Sequence, residues 1–244
     1  MAIRKSKFDW SSLNRYELTE YFWSAYPKLI NKEISVIKFH RTIGNHIKKH
    51  IPIKLQKWGD SKVDNNCVWV GGTYYSDLDK QKQNPIELIL VYKNKSETIK
   101  ITKLNFIRTC NTISNTIMHE IIHMRQYRRR KFKDLPSYKS TADKTEQREE
   151  QTYLGCSDEI DAYSFNIACE LLQKFENDTD KVIEYLNEDQ RGKRRKHNSW
   201  RMYLKAFNHD HEHPIIKRVK QKVVRYLPNA QYGKPYRNKD WISN

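Results

Sequence analysis

The apolar positions of this chain fall into two rhythms. Ile113, Ile117, Ile121 and Met124 recur at helical spacing, which predicts a central buried helix over 112–131, with isoleucines on both sides of its polar members. A looser helical rhythm runs through Leu13, Tyr16, Leu18, Tyr21, Phe22 and Trp23, with Ser11 and Ser12 as candidate caps. Another runs through Leu29, Ile30, Ile34, Ile37 and Ile43 over 28–50, and Pro27 and Pro52 punctuate these stretches.

Between 53 and 105 the rhythm becomes strand-like. Cys67-Val68-Trp69-Val70, Thr73-Tyr74-Tyr75, residues 86–92 and Thr98-Ile99-Lys100-Ile101 are rich in β-branched and aromatic residues. Gly71-Gly72 predicts a bend or bulge in the first. Asn84-Pro85 and Lys93-Asn94-Lys95 predict turns, so the sheet is expected to be antiparallel or mixed.

Residues 134–155 are polar and predict a long surface loop with a short helix, placed to wall a cleft. Ile160, Tyr163, Phe165, Ile167, Ala168, Leu171 and Leu172 predict a helix over 158–175 behind an N-cap at Ser157. Further helices are expected over 180–187, 200–207 and 214–227. The fold class is α+β: a small mixed or antiparallel sheet packed on the central helix and a second helix. The expected segments are an N-terminal helical one (1–52), a core (53–185), and a basic connector with C-terminal helices packing on that core (186–244).

Composition sharpens the list of partners. The chain has 244 residues, is 37% hydrophobic and 31% charged, and carries a formal net charge of +17. Such a charge favours a polyanion, whether nucleic acid, an acidic protein surface or an anionic membrane. A solvated lysine-rich surface explains it equally well. Cys67, Cys110, Cys156 and Cys169 form no C-x-x-C pair, and Cys156 and Cys169 read as small core residues. The expected compartment is therefore reducing and intracellular. Residues 1–10 lack the apolar region of a signal peptide, and no run approaches the roughly 20 apolar residues of a membrane span. Lys-, Asn-, Ile- and Tyr-rich usage fits an AT-rich genome such as that of a virus.

The chemistry concentrates in Thr116-Ile117-Met118-His119-Glu120-Ile121-Ile122-His123-Met124. Residues four apart on a helix lie one turn above each other, so His119 and His123 can grip one Zn²⁺ ion. The adjacent Glu120 can reach a water on that ion and act as general base. A catalytic zinc needs a third protein ligand. A histidine six residues after the second, with a glycine between, would mark a metzincin. Here those positions hold Arg129 and Gln126, which excludes that pattern. The better candidate is Glu159 in Asp158-Glu159-Ile160-Asp161-Ala162, 36 positions downstream (159 − 123), in the first turn of the second helix. Asp158 and Asp161 are rival ligands. Asp161 also fits a role holding an imidazole N–H, and Glu159 one serving the helix dipole.

At these residues the chain resembles the gluzincin branch of the HExxH zinc metallopeptidases, over about residues 65–175. In that family a glutamate of an E-x-x-A segment on a second helix completes the site. The resemblance implies a zincin-like core and a zinc-dependent peptidase with a protein or peptide substrate. Zinc would be held by His119, His123 and Glu159, with Glu120 as base. It further implies an oxyanion-binding Tyr or His downstream, for which Tyr153, Tyr163, His197 and Tyr203 qualify. It also implies a substrate strand along a sheet edge, either 68–75 or 86–92.

Four rival readings remain. His46 and His50 are also four apart but lack the glutamate, and Ile47-Lys48-Lys49 between them suggests a basic surface helix. His209-Asp210-His211-Glu212-His213 fits a surface metal patch, a site wall or a helix cap. The +17 charge and residues 191–196 fit a nucleic-acid-associated protein. SprT-like proteases acting on DNA-bound proteins combine that role with peptide hydrolysis, but this chain lacks the nearby histidine ligand of that family. A non-catalytic interaction protein on a zincin-like fold is the last alternative, weakened because Glu120 is present. No nucleophile elbow or phosphate-binding glycine loop is present.

Overall fold

The computed structural model describes residues 9–31, 33–94, 98–191 and 198–235. Lys95, the last residue of the turn expected after β-rich segment 86–92, lies outside them. The chain divides into two compact units, Met1–Met124 and Arg125–Asn244, and the division falls inside one continuous helix. The boundaries expected at 52 and 185 follow composition and do not coincide with this division.

The first unit opens with α1 (Arg15–Trp23). Its cap is Asn14, whose side chain accepts from the Tyr16 and Glu17 amides, rather than Ser11 or Ser12. The chain then reaches β1 (Ile34–Ser35) and α2 (Val36–His50). The helix expected from residue 28 thus begins only at 36, where Ser35 accepts from the Lys38 amide. Phe39, Ile43 and Ile47 make its buried stripe, each contributing about 1.5–3 kcal/mol by leaving water.

The strands follow: β2 (Lys54–Gly59), β3 (Trp69–Tyr74), β4 (Ile86–Tyr92) and β5 (Thr98–Ile99), with the short α3 (Ser76–Lys80) after β3. β1 and β5 form a two-stranded antiparallel pair. The larger sheet is mixed, in the order β2-β4-β3, with β2 parallel and β3 antiparallel to β4. The stretch expected as two strands parted at the glycines is one strand, and its ladder runs unbroken through Gly71 and Gly72. No bulge is present there.

Alternation along β4 decides which face of the sheet is covered. Ile86, Leu88, Leu90 and Tyr92 are buried at 0–1% exposure, and the neighbouring Leu55 and Gly72 lie against α2 and the central helix. Trp58 and Trp69, both paired to Val91, stand on the other face at 60% and 47% exposure. The central helix, α4, spans Lys103–Arg129 and starts nine residues before its apolar stripe predicts (112 − 103). In the first unit α1 is tied to it by the buried Arg15, whose Nε donates to Asn115 at 2.6 Å.

The second unit is helical: α5 (Thr145–Leu154), α6 (Ser157–Lys174), α7 (Thr179–Asn187), α8 (Ser199–Ala206) and α9 (Pro214–Ala230). α6 packs chiefly on α9. Phe165 meets the Tyr226 ring at 5.8 Å, and Lys222 pairs with Asp161 at 2.7 Å. Cys156, not Ser157, occupies the cap of α6 and is only half-buried, so of the two cysteines expected in the core only Cys169 is buried. No helix among the described residues is long and apolar enough to cross a membrane.

Candidate metal centre

Burial of α4 sets the environment of its polar residues. Ile117, Met118, Ile121 and Ile122 are fully buried, while Thr116 and His123 are half-buried. His119 and Glu120 are 4% and 6% exposed. A buried imidazole and carboxylate carry a desolvation cost that specific partners must offset.

The two imidazoles converge. His119 Nε2 and His123 Nε2 are 2.9 Å apart, and the rings are edge-on at 4.6 Å. Two nitrogens bound tetrahedrally to one zinc at about 2.0–2.1 Å stand roughly 3.3 Å apart, so the pair, now at hydrogen-bond distance, would open by only a few tenths of an ångström to share one ion. Glu159 on α6 completes the set. One ligand atom each from His119, His123 and Glu159 lies within 4.8 Å of the others. Two neutral imidazoles and one carboxylate form a donor set that fits zinc and leaves a coordination position for water.

Both rivals of Glu159 are committed elsewhere. Arg130 grips Asp158 with two parallel bonds, Nη1 to Oδ1 at 2.8 Å and Nη2 to Oδ2 at 2.6 Å. Asp161 accepts from Lys222 on Oδ1 and from Gln126 on Oδ2 at 3.3 Å. Gln126 also donates to the Asp158 carbonyl at 3.1 Å. Gln126 near the end of α4 and Arg130 just beyond it thus hold the first turn of α6 through Asp158 and Asp161, and Glu159 is the carboxylate of that turn that neither of them takes. Its hydroxyl partner is Tyr153. Desolvation, then Tyr163 and Glu159, keep that phenol well above its ordinary range, so it remains a donor.

Three contributors escape sequence reasoning. Gln126 carries no signal beyond its distance from His123. Arg130 is legible only as a cation complementing the dipole near a helix C-terminus. Gly72 is visible in the glycine pair, but as a bend. A Cβ there would lie 2.6 Å from Glu120 Oε1, 2.9 Å from Glu120 Cγ and 2.5 Å from Thr116 Cγ2. Residue 72 is glycine because β3 passes against the side chain of Glu120.

The remaining candidates separate cleanly. Tyr203 is fully buried and donates to the Leu154 carbonyl at 3.1 Å, so its hydroxyl is engaged. His197 and the basic run 192–197 lie outside the described residues. Arg191 donates to both carboxylate oxygens of Asp189, Nε to Oδ1 and Nη2 to Oδ2. His46 and His50 flank the Tyr21 ring at 5.1 and 5.3 Å. His213 caps α9, its Nδ1 accepting from the Ile215 amide. Among the described residues, neither of these histidine groups assembles a set of three candidate ligands, whereas His119, His123 and Glu159 do. No protein-family model, curated protein or solved structure matches this chain.

The Arg130–Asp158 pair yields a first prediction. The two side chains are 16% and 20% exposed, so removing one strands a mostly desolvated charge. Breaking a fully buried pair costs about 3–5 kcal/mol, and partial exposure brings this to roughly 2–3 kcal/mol for Arg130→Ala. Urea unfolding should show the midpoint falling with an unchanged slope. The double change Arg130→Ala/Asp158→Ala should recover part of the loss, since neither charge is then stranded.

Proposed function

We propose that this chain is a zinc-dependent peptidase whose ligands are His119, His123 and Glu159 and whose general base is Glu120. One observation carries the reading: ligand atoms of these three side chains lie within 4.8 Å of one another, one helical position from a buried glutamate. A zinc ion held by these residues would supply a Lewis acid and a water acidified towards neutrality.

The chain's own groups do the rest. Glu120, buried on α4, takes the proton of the attacking water and delivers it to the leaving amine. Its low exposure, 6%, strengthens charge interactions at that carboxylate relative to water. β3 supplies the edge for the substrate strand. Residues 86–92 form the central strand, paired on both sides, so they have no free edge to offer. β3 is an edge, and it runs past Glu120 at Gly72, where an extended peptide can add to the ladder. The side chain of an ordinary residue at 72 would fill the space in which Glu120 works.

Tyr153 is the oxyanion donor in this reading. The residue is 48% exposed while its hydroxyl reaches Glu159. Tyr153→Phe should lower kcat by about 10²-fold, the cost of one oxyanion donor, with zinc occupancy unchanged. A loss of zinc in that variant would instead assign Tyr153 to positioning Glu159.

The test of the whole reading is metal analysis of the purified chain combined with cleavage of a mixed peptide library. The expected result is bound zinc, cleavage abolished by a chelator, and recovery on adding zinc back. Protein that takes up no zinc at saturating concentration overturns it.

A further inference from the structure

The first unit contains a second concave feature that the proposed peptidase chemistry does not use. A cleft of about 390 Å³ opens between α2 and β2. Its floor is apolar, formed by Ile47, Ile53 and Leu55, with the His40 imidazole alongside. Gly44 also lines it, and a Cβ there would make only an ordinary contact, with Leu55 Cδ2 at 3.5 Å.

The rim is cationic. Arg41, Lys48, Lys54 and Lys57 line the cleft, and no Asp or Glu does. Residues 36–57 as a whole contain six Lys or Arg (Lys38, Arg41, Lys48, Lys49, Lys54, Lys57) and no acid. Lys54 has an acid partner, Glu87 at 3.5 Å, whereas Arg41, Lys48 and Lys57 make no ion pair among the described residues. Burial, followed by the charges of Lys57 and Lys48, holds the His40 imidazole below its usual range, and its buried Nδ1 has no hydrogen-bond partner. Three cations without an acid partner on one cleft, Arg41, Lys48 and Lys57, leave a place for an anion.

We propose that the α2–β2 cleft is a binding site for single-stranded nucleic acid, with a base on the apolar floor beside His40 and flanking phosphates on Arg41, Lys48 and Lys57. Shape favours this occupant over other polyanions. A membrane surface is flat and would leave the apolar floor unused. A duplex presents its stacked bases inward and would touch only the rim. Arg41 and Lys48 stand seven residues apart on α2, about 10 Å along the axis, so a strand lying along the helix can place more than one phosphate against them. The apolar floor and imidazole suit the flat face of an unstacked base. The proposal uses residues of the first unit alone and does not depend on peptide hydrolysis.

The experiment measures binding of a short fluorescein-labelled oligo-dT to the full chain across a salt series. Arg41→Gln/Lys48→Gln/Lys57→Gln is compared with Lys139→Gln/Lys205→Gln/Arg225→Gln, which removes equal charge from exposed positions of the second unit. The cleft variant is expected to bind about ten-fold or more weakly, with its log–log salt slope reduced by about 2, at roughly 0.7 per phosphate contact. The control should stay within about two-fold of wild type. Each single exchange should lower the slope by about 0.7, which keeps the readout if the triple variant fails to fold. Equal losses in the two triple variants would reduce the effect to the diffuse +17 charge and overturn the site. So would absence of oligonucleotide binding at low salt, or displacement by polyglutamate at equal charge, which would make the occupant an acidic protein.

Discussion

Replacing Glu120 by Gln is expected to lower peptide turnover by about 10²–10⁴-fold while leaving bound zinc unchanged. Glutamine keeps the shape of the side chain in a site only 6% exposed, so packing is retained and the lost property is basicity. His123→Ala should behave differently, losing the metal because one of the two converging Nε2 atoms is gone. Thermal unfolding separates the two. Zinc at about 1,000 times its dissociation constant should stabilise wild type and Glu120→Gln by about 4 kcal/mol, and His123→Ala by little. A Glu120→Gln protein that still turns over peptide at the wild-type rate would remove Glu120 from the mechanism. A His123→Ala protein with full zinc stabilisation would remove the site.

The second large effect is expected at a residue that touches no metal ligand. Gly72→Ala places a methyl group 2.5 Å from Thr116 Cγ2 and 2.6 Å from Glu120 Oε1, distances at which something must move. Overpacking of this kind costs about 1–3 kcal/mol. The displaced group is the proposed base, and a misplacement of about 1 Å can cost on the order of 10²-fold in rate. Gly71→Ala is the control: a Cβ there meets only Ile89 Cβ, at 4.0 Å, on the opposite face of the same strand. It should be tolerated in both stability and rate, since alanine in a strand loses less conformational freedom on folding than glycine. Kinetics and urea unfolding of the two variants check this together, and equal behaviour of Gly71→Ala and Gly72→Ala would refute the close-approach account.

The α+β class and most element identities are legible in the sequence because they follow from local rules. The isoleucine stripe of α4, the apolar run of β4 and the amphipathic α6 each announce their periodicity. Expectation and structure part where local signals are weak or shared. α1 starts at Asn14 because its side chain reaches the free amides, while the serines before it are equally good capping types. The first two turns of α4, from Lys103, carry no regular apolar stripe, so spacing alone places the start later. β2 has too few β-branched residues to stand out, and it is a strand because β4 pairs with it.

The sequence by itself determined the chemistry on offer. His119, Glu120 and His123 share a helix, and helical geometry alone puts the two imidazoles one turn apart. It also brought three carboxylates, Asp158, Glu159 and Asp161, into one stretch without deciding which of them meets the imidazoles. Tertiary structure separates the three by their partners. Arg130 takes Asp158, Lys222 and Gln126 take Asp161, and Glu159 is the one that offers a ligand atom within 4.8 Å of those of His119 and His123. It likewise decided that the glycine pair marks a close approach rather than a bend, because only strand register shows that Gly72 faces Glu120 and Gly71 faces away. Both decisions depend on pairings between residues far apart in the chain, and spacing along one segment carries no record of which distant side chain will arrive opposite it.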